Sequence, residues 1–221
     1  MALSARNDYE AEFARRYSKA SAKQKRELLV LLGDTLNIGN VPISFWDNAS
    51  GEMVELLSPV MIEIFMDSAE QLGASLPIGV DWGLVNEHAA SWARQYTFEL
   101  VKGVTNTTRR ALQAALNNFF QRGQTRADLE AQLVRIYGPV RAEAIAITEV
   151  TRAATEGERQ IAAELAREGV DMVPFWVTRE DELVCPLCGP RNGKEITDGK
   201  FPPIHPRDRC GTRYELPKVK R

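Results

Sequence analysis

The chain has 221 residues, a formal net charge of −2, 44% hydrophobic residues and 26% charged residues. That length suits one large domain or two small ones, and it buries a core without needing disulfides. A net charge near zero argues against holding nucleic acid by bulk electrostatics, and no apolar run approaches the roughly 18 residues of a membrane span. The opening Met1-Ala2-Leu3-Ser4-Ala5-Arg6 runs into charge, so no secretory signal is expected. Three cysteines are too few and odd in number for a secreted disulfide scaffold, so reduced thiols in a cytoplasm are expected. The basic tail Lys218-Val219-Lys220-Arg221 reads as a solvated terminus.

In chain order, Tyr9, Phe13, Tyr17 and the leucines 28, 29, 31 and 32 predict a helix over about 8–32, stopped at Gly33. Residues 33–51 carry Gly39, Pro42, Asn48 and Gly51 around Ile43-Ser44-Phe45-Trp46, the pattern of a loop with a short apolar anchor. A second helix is expected over 52–72, with Pro59 as a kink point and Gly73, Pro77 and Gly79 as breakers. A third covers 84–102, with Leu84, Ala89, Trp92, Ala93 and Tyr96 on one face.

Thr105 is placed to cap a helix over 106–121, where Leu112, Ala115, Leu116, Phe119 and Phe120 follow helical spacing. Gly123 ends it, and Thr125 with Asp128 starts the next as a capping box, with Leu129, Leu133, Ile136 and Tyr137 facing inward. After Gly138-Pro139 a long helix runs over 140–168. Beyond Gly169 the pattern changes. Val173-Pro174-Phe175-Trp176-Val177-Thr178 is β-prone, and Phe175 and Trp176 are expected to pack the C-terminal residues against the long helix. The predicted fold is mainly α: a multi-helix body with a small α+β, loop-rich C-terminal Cys/His knot. Its divisions are an N-terminal helical region at 1–103, a helical core at 104–170 and the knot at 171–221.

The knot holds the main chemical constellation. Cys185-Pro186-Leu187-Cys188 is a CxxC knuckle; sixteen residues separate Cys188 from His205 and four separate His205 from Cys210. A tetrahedral zinc site needs two close ligand pairs joined by a loop, with thiolate and imidazole donors. Packed thiols without metal and a redox dithiol are the alternatives, although Pro and Gly surround the knuckle where a redox CxxC would open a helix. Four protein donors would close the shell to water, which favours a structural role. Asp208 is a further candidate ligand, with an ion pair to Arg207, Arg209 or Arg213 as its structural reading.

Glu149 and Arg152 share a face of the long helix. Glu149 reads either as a general base or, with Arg152, as a buried latch to the knot, and the lack of a second catalytic group favours the latch. The unit 106–137 has the outline of a helix-turn-helix. Asp128 and Glu130 would repel phosphates near the only weak base-reading candidate, Arg126, so a plain helical hairpin is the better reading. His88, the other histidine, reads as packed or solvated.

Two blocks of sequence resemble the phage Mu F-like minor head proteins. One is Thr107-Thr108-Arg109-Arg110-Ala111-Leu112, Arg122-Gly123, and Arg141-Ala142-Glu143-Ala144-Ile145-Ala146-Ile147-Thr148-Glu149-Val150-Thr151-Arg152-Ala153. The other is Trp176-Val177-Thr178, the knuckle, Gly193-Lys194, and Pro202-Pro203-Ile204-His205-Pro206 to Arg209-Cys210. Together they span about 100–215, and Val80–Asn86 fits the family's upstream style more loosely. The resemblance implies a head-morphogenesis protein in the virion, near the portal or the head interior, and in the host cytoplasm during assembly. Its implied partners are the portal protein, major capsid and scaffold proteins, and phage DNA during packaging or ejection; no membrane is involved. No enzymatic activity is implied, and the toxin domain that some relatives carry after this module, such as an ADP-ribosyltransferase, is not expected here. The family signature carries a cysteine where this chain has Asp208, leaving three thiols and giving His205 or Asp208 more weight as a structural zinc ligand. The rival readings are a zinc-knuckle nuclease and a DNA-binding head adaptor.

Overall fold

The computed structural model describes residues 3–33, 36–74, 79–179 and 184–217. Met1, Ala2, Pro77 and the basic tail at 218–221 lie outside the described residues, as does the side chain of Arg126. The fold is mainly helical: α1 (Leu3–Leu32), α2 (Ile43–Ala74), α3 (Trp82–Arg122), α4 (Arg126–Tyr137) and α5 (Pro139–Arg167) precede strands β1 (Val173–Val177) and β2 (Gly211–Glu215). Among the described residues no helix is long and apolar enough to cross a membrane.

Two boundaries differ from the sequence expectation. Ile43–Trp46 is the first turn of α2 and no part of a loop. Phe45 and Trp46 are buried there and meet edge to face at 5.0 Å, so apolar packing outweighs the loop-prone glycine and prolines around them. The helix also continues through Pro59. The expected break near Gly103–Thr105 is likewise absent, and α3 is one continuous helix. Thr107 and Thr108 donate to the carbonyls of Gly103 and Val104, both at 2.8 Å, and the Thr105 hydroxyl lies 3.0 Å from that of Ser50. Threonine hydroxyls bonded back along a helix are satisfied without serving as caps.

The α3–α4 connection follows the sequence reading. Gly123 takes the left-handed conformation at φ +59, cheap for a residue without Cβ. Thr125 then caps α4: its N–H donates to Asp128 Oδ2 at 2.9 Å and its hydroxyl accepts from the Asp128 N–H at 3.2 Å. Hydrogen bonds from the Thr125 hydroxyl and N–H hold the exposed Asp128 carboxyl below its ordinary range.

The chain divides into two compact units, each assembled from separate segments. Residues 11–60 and 93–143 form one, cored by Leu28, Leu32, Trp46, Leu112, Leu129 and Leu133. Arg141 braces it, donating to the Ile136 carbonyl at 2.8 Å and to the Thr108 hydroxyl at 2.9 Å.

The other unit spans residues 1–10, 61–92 and 144–221, and its described residues include two apolar clusters. Phe65, Ala69, Val85, Ala89, Ile161 and Leu165 form the helical one; Trp176, Cys188, Ile196 and Cys210 form the other. A fully buried side chain of the size of Phe65 or Ile161 contributes about 1.5–3 kcal/mol. Within this unit α2 and α5 approach closely at Gly157, where an added Cβ would sit 2.2 Å from the Phe65 carbonyl oxygen. Gly157→Ala is therefore expected to lower unfolding stability by about 1–3 kcal/mol, read as a fall in the urea midpoint. An unchanged midpoint would show that this contact does not constrain the helices.

Candidate functional site

The knot is built on a two-stranded antiparallel sheet in which Trp176 faces Thr212 and Val177 faces Gly211. Along β1 the residues alternate between faces, and Trp176, 1% exposed, is the strand's buried member. Residues 193–196 line the other edge of β1. The Trp176 N–H donates to the Lys194 carbonyl at 2.9 Å, and the Gly193 N–H donates to the Trp176 carbonyl at 2.8 Å. Trp176 thus packs inside the knot beside Cys188 and Cys210, with Arg191 stacked 5.1 Å from its ring, while Phe175 is half-buried under Arg213. Cys210 immediately precedes β2, so the sheet register sets its position.

The knuckle is closed by backbone bonds. Both the Cys188 and Gly189 N–H groups donate to the Cys185 carbonyl, at 3.1 and 3.0 Å. The Cys188 N–H also lies 3.3 Å from Cys185 Sγ. His205 Nε2 sits 3.1 Å from Cys185 Sγ and 3.3 Å from Cys188 Sγ. Its Nδ1 is 2.8 Å from the Pro206 carbonyl. A carbonyl only accepts, so Nδ1 carries a proton, and Nε2, once deprotonated, would offer its lone pair to a metal among the thiols.

The ligand atoms of Cys185, Cys188 and His205 lie within 4.8 Å of one another, as do those of Cys188, Asp208 and Cys210. The two triads share Cys188, so Cys185, Cys188, His205 and Cys210 form one cluster able to hold a metal ion. The donors suit it. With metal–sulfur bonds of about 2.3 Å and metal–nitrogen bonds of about 2.0 Å, tetrahedral zinc sets its sulfur and nitrogen donors about 3.5 Å apart, close to the separations here.

Asp208 is 1% exposed, and both of its oxygens are engaged. Oδ2 accepts from the Ile204 N–H and Oδ1 from the Cys210 N–H, each at 2.9 Å. The carboxylate therefore shapes the 204–210 turn, where the sequence alone suggests an arginine ion pair. Arg209 pairs instead with Glu10, at 2.7 Å.

The thiols are not equivalent. Burial works against ionising Cys185, but hydrogen bonds from the Cys188 and Leu187 N–H groups, the Cys188 thiol and His205 bring it below the ordinary thiol value. Burial pushes Cys188 well above that value, with Cys185 and the Asp208 charge adding to the rise. Burial and Asp208 push Cys210 up to about 12. The bond from His205 to the Pro206 carbonyl, with the nearby Asp208 charge, raises the imidazole. Without a cation, Cys188 and Cys210 are thus protonated at neutral pH.

A set of polar bonds ties the knot to α5 and to the first turns of α1. The Arg207 N–H donates to the Thr148 hydroxyl at 2.9 Å, and the Thr151 hydroxyl donates to the Asp208 carbonyl at 2.6 Å. Thr212 donates to Glu158, whose carboxyl is raised by burial. Arg6 donates to the Arg209 carbonyl at 2.9 Å and to the Thr151 hydroxyl. Arg207 is held at φ +63, a conformation uncommon outside glycine, by this same turn.

Glu149, 6% exposed, lies 3.4 Å from Arg152 as the helical spacing requires. Its neighbours Thr148 and Thr151 bond directly to the 207–208 turn. Arg6 and Glu10 were missed by sequence reasoning; they lie about two hundred positions from their partners, and no local pattern marks them. His88 contacts Gln160 and lies 3.6 Å from Glu164. Comparison with family models, curated proteins and solved structures finds no match to this chain.

Loading the cluster with zinc should release the protons of Cys188 and Cys210, so apparent affinity should climb with pH through neutrality. Calorimetric titration at pH 7 in buffers of different ionisation heat would read this; heats independent of buffer would contradict it. Cys185→Ser should make residues 175–215 more sensitive to protease while leaving the helices intact by circular dichroism. An unchanged digestion pattern would mean that the knot does not depend on the cluster.

Proposed function

We propose that this chain is a non-enzymatic minor head protein of a tailed phage. It docks at the portal or the inner capsid, and a structural zinc holds its C-terminal knot. The observation that carries the reading is the meeting of the two blocks that resemble the Mu F-like family. Thr148 and Thr151, from the helical block, bond to the backbone of Arg207 and Asp208, from the cysteine block. The 144–153 part of the helical block and the cysteine block share one compact unit, and this supports reading them as one inherited module.

The donor set supports a structural role. Three thiols and an imidazole complete a four-coordinate shell and leave no position for a reacting water. The replacement of the family's fourth cysteine by Asp208 costs little, because His205 supplies the fourth donor and Asp208 organises the turn. The module would bind portal, major capsid or scaffold protein during assembly in the host cytoplasm, with phage DNA as a secondary contact. The nuclease alternative needs a second catalytic histidine beside the metal, and His88 is instead engaged with Gln160 of α5.

Head assembly with a tagged chain tests the proposal. The protein should co-purify with portal or procapsid, and Cys185→Ser should reduce its incorporation by about tenfold or more if the knot contributes a contact of ordinary hot-spot strength. Normal yields of infectious, DNA-filled particles lacking the protein would contradict it.

A further inference from the structure

A metal would use the three thiols together, but their positions also single out one pair. The Cys188 N–H donates to the Cys185 carbonyl at 3.1 Å, so residues 185–188 form a tight turn. Such a turn holds its first and last Cα atoms within about 7 Å. A disulfide spans Cα separations of about 4.4–6.8 Å. The two sulfurs already lie within 4.8 Å of each other, so joining them needs little beyond side-chain rotation inside the turn. Cys188 lies within 4.8 Å of Cys210 as well. Cys210 is anchored differently: its N–H is bonded to Asp208 Oδ1 at 2.9 Å, and it leads directly into β2. Exposure also separates the thiols. Cys185 is partly exposed, whereas Cys188 and Cys210 are buried. An oxidant arriving from water meets Cys185 first, and the Cys188 N–H, 3.3 Å from Cys185 Sγ, is placed to support a thiolate there.

We propose that Cys185 and Cys188 form a peroxide-sensitive switch: hydrogen peroxide closes them into a disulfide, and the zinc leaves. The release of zinc rests on the structural-zinc reading above, while the pairing rests on the turn alone. The Cys185 thiolate attacks one peroxide oxygen and the O–O bond breaks, giving a sulfenic acid and hydroxide. The Cys188 sulfur then attacks the sulfenic sulfur. The S–S bond forms, the S–O bond breaks and a second hydroxide leaves. In the zinc-loaded knot, where both sulfurs are thiolates, each hydroxide takes a proton from solvent. The pair has then lost two electrons, and one peroxide has become two waters. His205 and Cys210 remain, two donors where tetrahedral zinc needs four.

Peroxide treatment of the full, natively folded chain tests this, with and without prior removal of metal by a chelator. Thiols counted afterwards in denaturant should fall from three to one in both forms, and peptide mapping should find Cys185 joined to Cys188. The zinc-loaded form should release its zinc in step with the disulfide, and a reductant should restore both the thiols and zinc uptake. Dimedone added with the peroxide should label Cys185. A disulfide between Cys188 and Cys210 or between chains, three surviving thiols, or zinc retained after the disulfide closes overturns the proposal. So does dimedone found on Cys188 or Cys210 alone. A chain that never takes up zinc contradicts the structural-zinc reading instead, and the disulfide found in it then upholds or overturns the pairing by itself.

Discussion

The arrangement of the last fifty residues depends on one constraint: the His205 imidazole must be brought against two thiols while a third stands behind them. Few apolar side chains are available to do this. The knot's buried cluster holds Trp176, Ile196 and two cysteines, far less than the helical clusters contain. Polar bonds supply the rest. Asp208 ties the Ile204 and Cys210 N–H groups to one carboxylate, fixing the turn that places His205 on one side and Cys210 on the other. Thr148, Thr151 and Arg6 then hold that turn from outside. A small knot with so little core is the kind of structure that a bound metal stabilises outright.

The thiol energetics point the same way. Burial and the Asp208 charge oppose ionisation of Cys188 and Cys210, so the cluster holds protons where a metal site needs thiolates. A divalent cation reverses that balance, because its charge outweighs the carboxylate. Asp208 then changes from a group that repels thiolates to one that organises the loop around a positive centre. A bound cation would offset the cost of placing this carboxylate beside two thiols.

Much of the architecture was legible in sequence because it rests on local signals. The Thr125–Asp128 capping box, Gly123 and the apolar face of α4 are encoded within a few residues of where they act. The Cys/His cluster was legible from spacing alone, since a knuckle and a second Cys/His pair leave few ways to fold. Sequence reading failed where tertiary packing overrides local preference. Phe45 and Trp46 convert a loop-like segment into the start of α2, and Gly103 sits inside an unbroken α3. It failed again for long-range polar pairs: buried Glu10 pairs with half-buried Arg209, although each alone reads as a surface charge. Asp208 was legible as important but not in its role, because a carboxylate that ligates and one that orders a turn look alike in sequence.

X-ray absorption at the zinc edge of the purified chain tests the central claim most directly. The account requires one zinc per chain with three sulfur neighbours at about 2.3 Å and one nitrogen neighbour at about 2.0 Å. A chain that purifies without zinc and fails to take it up, or a shell in which oxygen replaces a sulfur or the nitrogen, would contradict it.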